Sequence, residues 1–142
     1  MLKEKNNHDK IITLLEEKNN HLEMFLNVSE KERKAFKARN FENLEFLYEV
    51  REDILENIRC IDERVDAYSA ELKSSDVTPE LKLSISSCMK LKETLTHQII
   101  EQDLVILSCV ENEKSSMLRK LTSVRDGRRL MKAYRTLPDI VD

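Results

Sequence analysis

Apolar residues recur along the middle of the chain at alternating spacings of three and four positions. The repeat is most regular between residues 44 and 72, where one position in the series is charged. Its members are Leu44, Leu47, Arg51, Ile54, Ile58, Ile61, Val65, Tyr68 and Leu72. A 3-4 alternation is the heptad repeat, which keeps one stripe of a helix facing a partner helix. The pattern therefore predicts a long amphipathic helix over residues 41–72, with Arg51 as the one break in its seam.

A less regular helix is predicted before it, over residues 3–38. Its apolar stripe consists of Ile11, Leu15, Leu22, Phe25, Val28 and Phe36, with Leu14 and Met24 on the flanks. Lys18 and Glu32 interrupt this stripe. Such charged positions weaken the amphipathic signal, although the spacing still favours a helix over a strand.

A third helix is predicted over residues 79–124. Thr78, Pro79 and Glu80 supply a cap, a first-turn proline and an acid near the positive helix end. Its apolar face is formed by Leu81, Ile85, Cys88, Leu91, Leu95, Ile99, Ile106, Cys109 and Val110, continued by Met117, Leu121 and Val124. Asp126 and Gly127 either end this helix or bend it. Residues 128–136 form one more helical stretch, which Pro138 stops.

The two breaks between these segments decide the topology. The polar break at residues 73–77 is short, so the second and third helices should form an antiparallel hairpin. At the other break, Asn40 can cap the second helix by accepting the backbone N–H of Asn43. If this break reverses the chain, the result is a three-helix bundle; otherwise the first two segments form one very long helix.

We therefore predict an all-α fold, an antiparallel bundle or coiled coil of about three long helices with a basic C-terminal helical extension. Residues 1–124 are expected to form the bundle. Residues 125–142 are expected to form the extension and a frayed tail. The composition agrees, because one Gly and two Pro in 142 residues cannot supply the turns that a sheet protein of this size needs.

Composition also bears on location. The N-terminus has no apolar core typical of a signal peptide, and the longest strongly apolar run, residues 104–107, is far too short to span a membrane. The three cysteines, Cys60, Cys88 and Cys109, are odd in number and contain no Cys-x-x-Cys pair, so neither a disulfide framework nor a zinc site is indicated. We interpret them as small core residues and expect a cytoplasmic protein.

No catalytic apparatus is recognisable. A phosphate-binding loop needs several glycines, and no Gly-x-Ser-x-Gly or Cys-Gly pattern is present. A di-iron helical bundle needs Glu-x-x-His on two helices, and the residues three positions before His8, His21 and His97 are Lys, Lys and Thr. The isolated pairs Glu17–His21 and Glu93–His97 offer too few ligands for a metal. We expect no enzyme, no cofactor and no metal.

The charge is distributed unevenly. Residues 1–118 carry a net charge of −7 and residues 119–142 a net charge of +4. A basic stretch of this kind can be a solvated helix face, a phosphate-binding surface or a protein-docking surface. The acidic body and the scarcity of stacking aromatics argue against nucleic acid. Met, Leu and Arg mixed together suit adaptable protein contacts. The candidate partner-binding residues are Met117, Leu121, Val124, Arg125, Arg128, Leu130, Met131 and Tyr134.

Two stretches carry a resemblance to a known family. The first is Asn40-Phe41-Glu42-Asn43-Leu44-Glu45-Phe46-Leu47, followed by Arg51 and Ile54-Leu55. The second runs from Ile99-Ile100-Glu101-Gln102-Asp103 through Val110-Glu111-Asn112-Glu113 and Leu121 to Gly127-Arg128-Arg129 and Ala133-Tyr134. Together they resemble the flagellar export chaperones of the FlgN and FliT type, over residues 11–134.

The resemblance implies a small cytoplasmic helical chaperone for flagellar type III secretion. Such chaperones bind the assembly-prone C-terminal part of a late export substrate, which is a hook–filament junction protein for the FlgN type and the filament cap for the FliT type. They also deliver it to the export machinery. By the resemblance, the C-terminal end of this chain would contribute to cargo or export-machinery binding. The alternative function is a non-enzymatic coiled-coil adaptor or scaffold for a folded partner.

The interrupted stripes also predict the oligomeric state. Lys18 and Glu32, together with incomplete pairing of the third segment, leave some apolar surface for a second copy, so a monomer or weak homodimer is expected. Light scattering at several concentrations should give a mass at or near that of one chain. A fixed high-order oligomer at every concentration would contradict this.

Overall fold

Three long helices make up the computed structural model, which describes the backbone of residues 2–136 and the side chains of residues 7–132. Helix α1 spans Leu2–Lys37, α2 spans Leu44–Ala70 and α3 spans Pro79–Thr136. A single 3-10 turn, Ser74–Asp76, lies in the loop between α2 and α3. The predicted all-α bundle is confirmed.

The chain divides into two compact units, Met1–Ile106 and Leu107–Asp142. The first contains α1, α2 and the N-terminal part of α3. The second contains the rest of α3, which continues through Asp126 and Gly127 without a break. The predicted division into a bundle of residues 1–124 and an extension of residues 125–142 stays a prediction. The predicted frayed tail, residues 137–142, lies outside the described residues.

The heptad seam predicted for α2 is confirmed position by position. Each of its members from Leu44 to Leu72, Arg51 included, is buried or half-buried, and most residues between them are exposed. Ile54 and Ile61 are the most buried, at 3% and 5% exposure. Burying a side chain of this size stabilises the fold by about 1.5–3 kcal/mol, so the seam holds α2 against the other two helices.

Helix α1 differs from α2, because it carries two seams that lie one residue apart. Both keep the 3-4 alternation, and none of their members is exposed. The first seam is Asn7, Ile11, Leu14, Lys18, His21, Phe25, Val28, Glu32 and Ala35. The second is His8, Ile12, Leu15, Asn19, Leu22, Leu26, Ser29, Arg33 and Phe36. Two seams give α1 a buried face wide enough to contact two helices at once.

Polar contacts show which helix each seam meets. On the first seam, the Lys18 ammonium lies 2.7 Å from the Asp62 carboxylate of α2. On the second, the Asn19 side-chain amide donates to the backbone carbonyl of Cys88 in α3, at 3.0 Å. Lys18 was predicted to interrupt the stripe of α1. It is instead a half-buried member of the seam with an ionic partner on the facing helix.

The seam of α3 departs from the predicted one at several positions. The residues that are buried or half-buried at heptad spacing are Leu81, Ile85, Cys88, Lys92, Leu95, Ile99, Gln102, Ile106, Cys109, Glu113 and Ser116. Leu91 and Val110 were predicted on this face but are 44% and 39% exposed. Lys92 takes the place of Leu91, because the 4-3 spacing from Cys88 to Leu95 selects position 92 and an aliphatic lysine stem can pack there.

The interpretation of all three cysteines as core residues is wrong for Cys60, which is exposed.

The chain reverses between α1 and α2, which settles the open alternative in favour of a turn. The N–H of Asn40 donates to the carbonyl of Ala35 at 2.9 Å, and that of Arg39 to Phe36 at 3.1 Å. This pair of bonds is a Schellman ending, and Arg39 takes the left-handed conformation at φ 56° that usually belongs to glycine. The predicted helix cap was wrong. Asn40 accepts the backbone N–H of Glu42 instead of that of Asn43, and α2 begins at Leu44.

An ionic cluster joins all three helices near this turn. Arg51 of α2 contacts Glu32 of α1 at 3.1 Å and Asp103 of α3 at 3.3 Å. Its guanidinium also lies 4.8 Å from the centre of the Phe25 ring, a cation–π distance. We call Glu32, Arg51 and Asp103 the three-helix clasp. It lies next to the apolar cluster of Phe25, Val28, Ile54 and Ile99.

Glu32 is the most buried member of the clasp. Its side chain is 9% exposed, against 24% for Arg51 and 38% for Asp103. Burial raises the pKa of the Glu32 carboxyl above its ordinary value of 4.5, and the neighbouring Arg51 offsets part of that rise. Glu32 therefore depends on Arg51 for its charge compensation, because its second oxygen, Oε1, has no hydrogen-bond partner.

We predict that Arg51→Leu destabilises the bundle while leaving its helix content intact. The loss should be about 2 kcal/mol at pH 7, because the change leaves the Glu32 carboxylate buried without its counter-charge. When folding raises the pKa of a carboxyl, the folded protein loses stability as the pH rises above about 4.5, because the unfolded chain ionises more readily there. Removing Arg51 raises that pKa further, so the loss should be smaller at pH 4 than at pH 7, as measured by urea unfolding.

The matched control is Arg59→Leu. Arg59 lies on the same helix and pairs with Glu56 and Glu63, but its side chain is 57% exposed. Exposed pairs of this kind contribute at most about 1 kcal/mol, so this variant should unfold almost like the parent protein. Equal losses for Arg51→Leu at pH 4 and pH 7 would refute the role given to Glu32. Complete unfolding would refute the seam itself.

Candidate partner-binding surface

The C-terminal part of α3 exposes a series of large apolar side chains. Every side chain from Met117 to Lys132 is exposed. Among the predicted partner-binding residues, Leu121 is 57% exposed and Val124 52%. Met117, Leu130 and Met131 have exposures of 57%, 65% and 60%. Apolar groups exposed in such density are unusual on a protein that works alone and often mark a binding surface.

Helical spacing brings most of these residues to one face. Met117, Leu121, Val124, Arg128 and Met131 follow one another at intervals of four and three, so they form a single stripe along α3. Val110 continues the same spacing toward the N-terminus at 39% exposure. We call Val110, Met117, Leu121, Val124 and Met131 the apolar stripe. Its heptad spacing is the kind that another helix can match.

The remaining predicted residues lie elsewhere on the helix. Arg125 flanks the apolar stripe, four residues after Leu121. Leu130 follows Leu121 by nine residues, which at 3.6 residues per turn places it on the opposite face. Tyr134 belongs to α3 by its backbone, but its side chain lies outside the described residues. Val110 was missed as a candidate because the sequence pattern suggested that it belonged to the buried face.

Basic side chains line both edges of the apolar stripe. Lys120 lies on one edge, Lys132 and Arg125 lie on the other, and Arg128 lies within the stripe itself. All four are exposed. A partner helix that presents apolar residues flanked by carboxylates would therefore match the surface in both hydrophobicity and charge.

Within the described residues, the structure offers little for metal chemistry. His21 contacts the backbone carbonyl of Glu17 at 2.8 Å rather than its carboxylate, and His97 pairs with Glu101 at 3.2 Å rather than with Glu93. No three His, Cys, Asp or Glu side chains of that part of the chain come together in a metal-binding group. No helix formed by the same residues is long and apolar enough to cross a membrane.

Together, the fold and the exposed stripe define a helical-bundle protein whose distinctive surface is apolar and basic. Comparison with known protein families is more specific. The model of the FlgN protein family matches residues 1–116, most of the chain. The chain therefore belongs to the FlgN family of flagellar export chaperones. No curated protein and no solved structure matches it.

The family match confirms the resemblance noted in the sequence and gives the function at the level of the family. It makes the chain a member of a family of chaperones, not of enzymes, that bind flagellar export substrates. The match ends at residue 116, one residue before the first candidate partner-binding residue. Of the apolar stripe, it therefore covers Val110 alone.

Gly127 lies on the described surface and gives a test of how this segment is stabilised. A Cβ added there would meet nothing within 4 Å, and its φ is not positive. Gly127→Ala should therefore strengthen the helix locally by about 1 kcal/mol without a clash. Hydrogen exchange of the amides of residues 122–132 should slow by severalfold. Unchanged exchange would contradict a helix with free space at Gly127, and Gly127→Pro should have the opposite effect.

Proposed function

We propose that the protein is a cytoplasmic chaperone that binds the assembly-prone C-terminal region of a late flagellar export substrate. A hook–filament junction protein is the proposed substrate, as for the FlgN type, and the filament cap is the alternative. The apolar stripe is the proposed cargo-binding surface, with Arg125 and Arg128 contributing charge. Leu130 and Tyr134 are the two remaining residues of the proposed surface.

The observation that carries the proposal is the exposed heptad spacing of the apolar stripe in a member of an export-chaperone family. A substrate terminus that folds only in the assembled structure exposes amphipathic segments. A helix from such a segment can bury its apolar face on the stripe. Ordering the segment costs entropy, which keeps the affinity moderate and the cargo releasable. Delivery to the export machinery would follow from the same complex.

We predict that deleting residues 119–142 abolishes cargo binding and leaves the bundle folded. The described side chains of the deleted segment, residues 119–132, are all exposed, so their removal should change the melting temperature by only a few degrees. Affinity for an isolated C-terminal peptide of a junction protein should fall beyond detection in a calorimetric titration. Loss of cooperative unfolding would instead mean that the segment closes the core.

A point variant tests the same surface more gently. Leu121→Ser on the apolar stripe should weaken peptide binding by at least about tenfold, because burying a leucine contributes about 1.5–3 kcal/mol. The matched control is Leu83→Ser on the same helix, since Leu83 is 70% exposed and lies near the start of α3. The control should bind like the parent chain. Equal losses in both variants would contradict the assignment.

The choice of peptide separates the substrates and the alternative function. The junction-protein peptide should bind more tightly than the filament-cap peptide, and the reverse order would assign the chain to the cap. A protein that binds neither unfolded peptide but binds a folded partner would be an adaptor or scaffold.

A further inference from the structure

A second surface, separate from the apolar stripe, lies where α1 and α2 meet at the reversing turn. It is a groove of about 590 Å³. Its lining consists of Lys31, Lys34, Ala35, Ala38, Asn40, Asn43, Phe46 and Leu47. We call it the turn groove. All of its residues belong to the first compact unit, and none is a candidate residue of the cargo-binding surface.

The apolar floor of the turn groove results from two small side chains beside one large one. Ala35 lies in the last turn of α1 and Ala38 directly follows the helix, and both side chains are small enough to leave room beside the backbone. Phe46 of α2 is 64% exposed and forms an aromatic wall. Since Phe46 is exposed and not on the α2 seam, its side chain does not hold the bundle together. Its ring is available to cover an apolar side chain of a partner.

The turn keeps this groove in one shape. The Schellman bonds of Arg39 and Asn40 fix the end of α1, and the Phe36 and Phe41 rings pack edge to face at 5.7 Å across the turn. The Asn40 side chain accepts the N–H of Glu42 at 3.4 Å. A preformed groove loses less conformational entropy when it binds than a flexible loop does.

Charge identifies the occupant. Lys31 and Lys34 line one side of the groove, one turn apart on α1, and both are exposed. Neither ammonium group forms an ion pair within the described part of the chain, and the lining contains no carboxylate. Two uncompensated cations beside an apolar floor are unusual on a unit whose net charge is negative. They match carboxylates on either side of a large apolar side chain.

We propose that the turn groove binds a short acidic segment of a partner protein, anchored by one large apolar residue against Phe46 and the two alanines. The carboxylates of the segment pair with Lys31 and Lys34. The site shares no residue with the proposed cargo-binding surface.

The test uses a fluorescent peptide, acetyl-GDELFEDG-amide, and the full-length protein. Fluorescence anisotropy should show saturable binding that weakens as salt rises. The same peptide with Gln and Asn in place of Glu and Asp, and one with Ser in place of Leu and Phe, should each bind at least tenfold more weakly. Acidic peptide that binds no tighter than either of these would overturn the proposal.

Protein variants locate the site. Lys31→Glu/Lys34→Glu and Phe46→Ser should each weaken the acidic peptide by about tenfold. All three residues are exposed, and unchanged thermal unfolding would show that the fold is intact. The matched control is Lys82→Glu/Lys90→Glu, the same charge reversal at two exposed positions of α3, which should leave the affinity within twofold.

The basic C-terminal segment is the competing site for any acidic peptide. Arg119→Glu/Arg129→Glu removes as much positive charge there as the groove variant removes from α1. If binding of the acidic peptide is lost in this variant and retained in Lys31→Glu/Lys34→Glu, the proposal for the turn groove is overturned. That result would not bear on the separate proposal that the apolar stripe binds cargo. The opposite result assigns the acidic segment to the turn groove.

Discussion

The bundle depends on one constraint, which is that α1 must pack against α2 and α3 at the same time. Its two seams are offset by a single residue, so the positions of both partner helices are set by one helix. Contacts at Lys18 and Asn19, which are neighbours in sequence, reach Asp62 of α2 and Cys88 of α3. A one-residue slip of α1 would place the second seam where the first one packs and would break the contacts of Lys18 with Asp62 and of Asn19 with Cys88.

The three-helix clasp reinforces this constraint at the end of the bundle near the turn. A buried ion pair is weak evidence for stability, because desolvating its charges costs about as much as their attraction returns. Its better attested role is to specify alignment, and here Arg51 meets one carboxylate on each of the other two helices. We interpret the clasp as the feature that fixes the register of α1, α2 and α3, with the neighbouring apolar cluster supplying the stability.

The sequence predicted the fold class, and it predicted α2 in detail because nearly all of the α2 seam is apolar. It did less well where a seam contains polar residues. Lys18 and Glu32 were interpreted as interruptions because their partners, Asp62 and Arg51, are on another helix. A periodicity argument cannot see such a pairing. Lys92 and Gln102 were missed for a different reason, since a long polar side chain at a heptad position can pack its stem on the seam.

The turn and the candidate surface show the other limits. Nothing in the local sequence indicates that Arg39 adopts a left-handed conformation, because glycine would ordinarily be expected there. The exposure of the C-terminal apolar residues is known from the structure. The placement of Leu130 opposite Leu121 could have been predicted from helical spacing alone. The turn groove could not be predicted, since it requires the packing of α1 against α2.

Function follows from two independent sources that cover different parts of the chain. The family match covers residues 1–116 and places the protein in the FlgN family of flagellar export chaperones. The proposed cargo-binding surface lies almost entirely beyond that match. Such an arrangement is physically reasonable for a chaperone, because the bundle can stay folded while an exposed helix face is adapted to a particular substrate.

The most direct test of this account is to identify the partner that the protein holds in the cell. The intact protein would be used to capture its partner from native cytoplasm, and the partner would be identified by mass spectrometry and mapped by limited proteolysis. The account predicts a secreted flagellar subunit bound through its C-terminal region. A folded partner that is never exported, held through a surface other than its C-terminus, would contradict it.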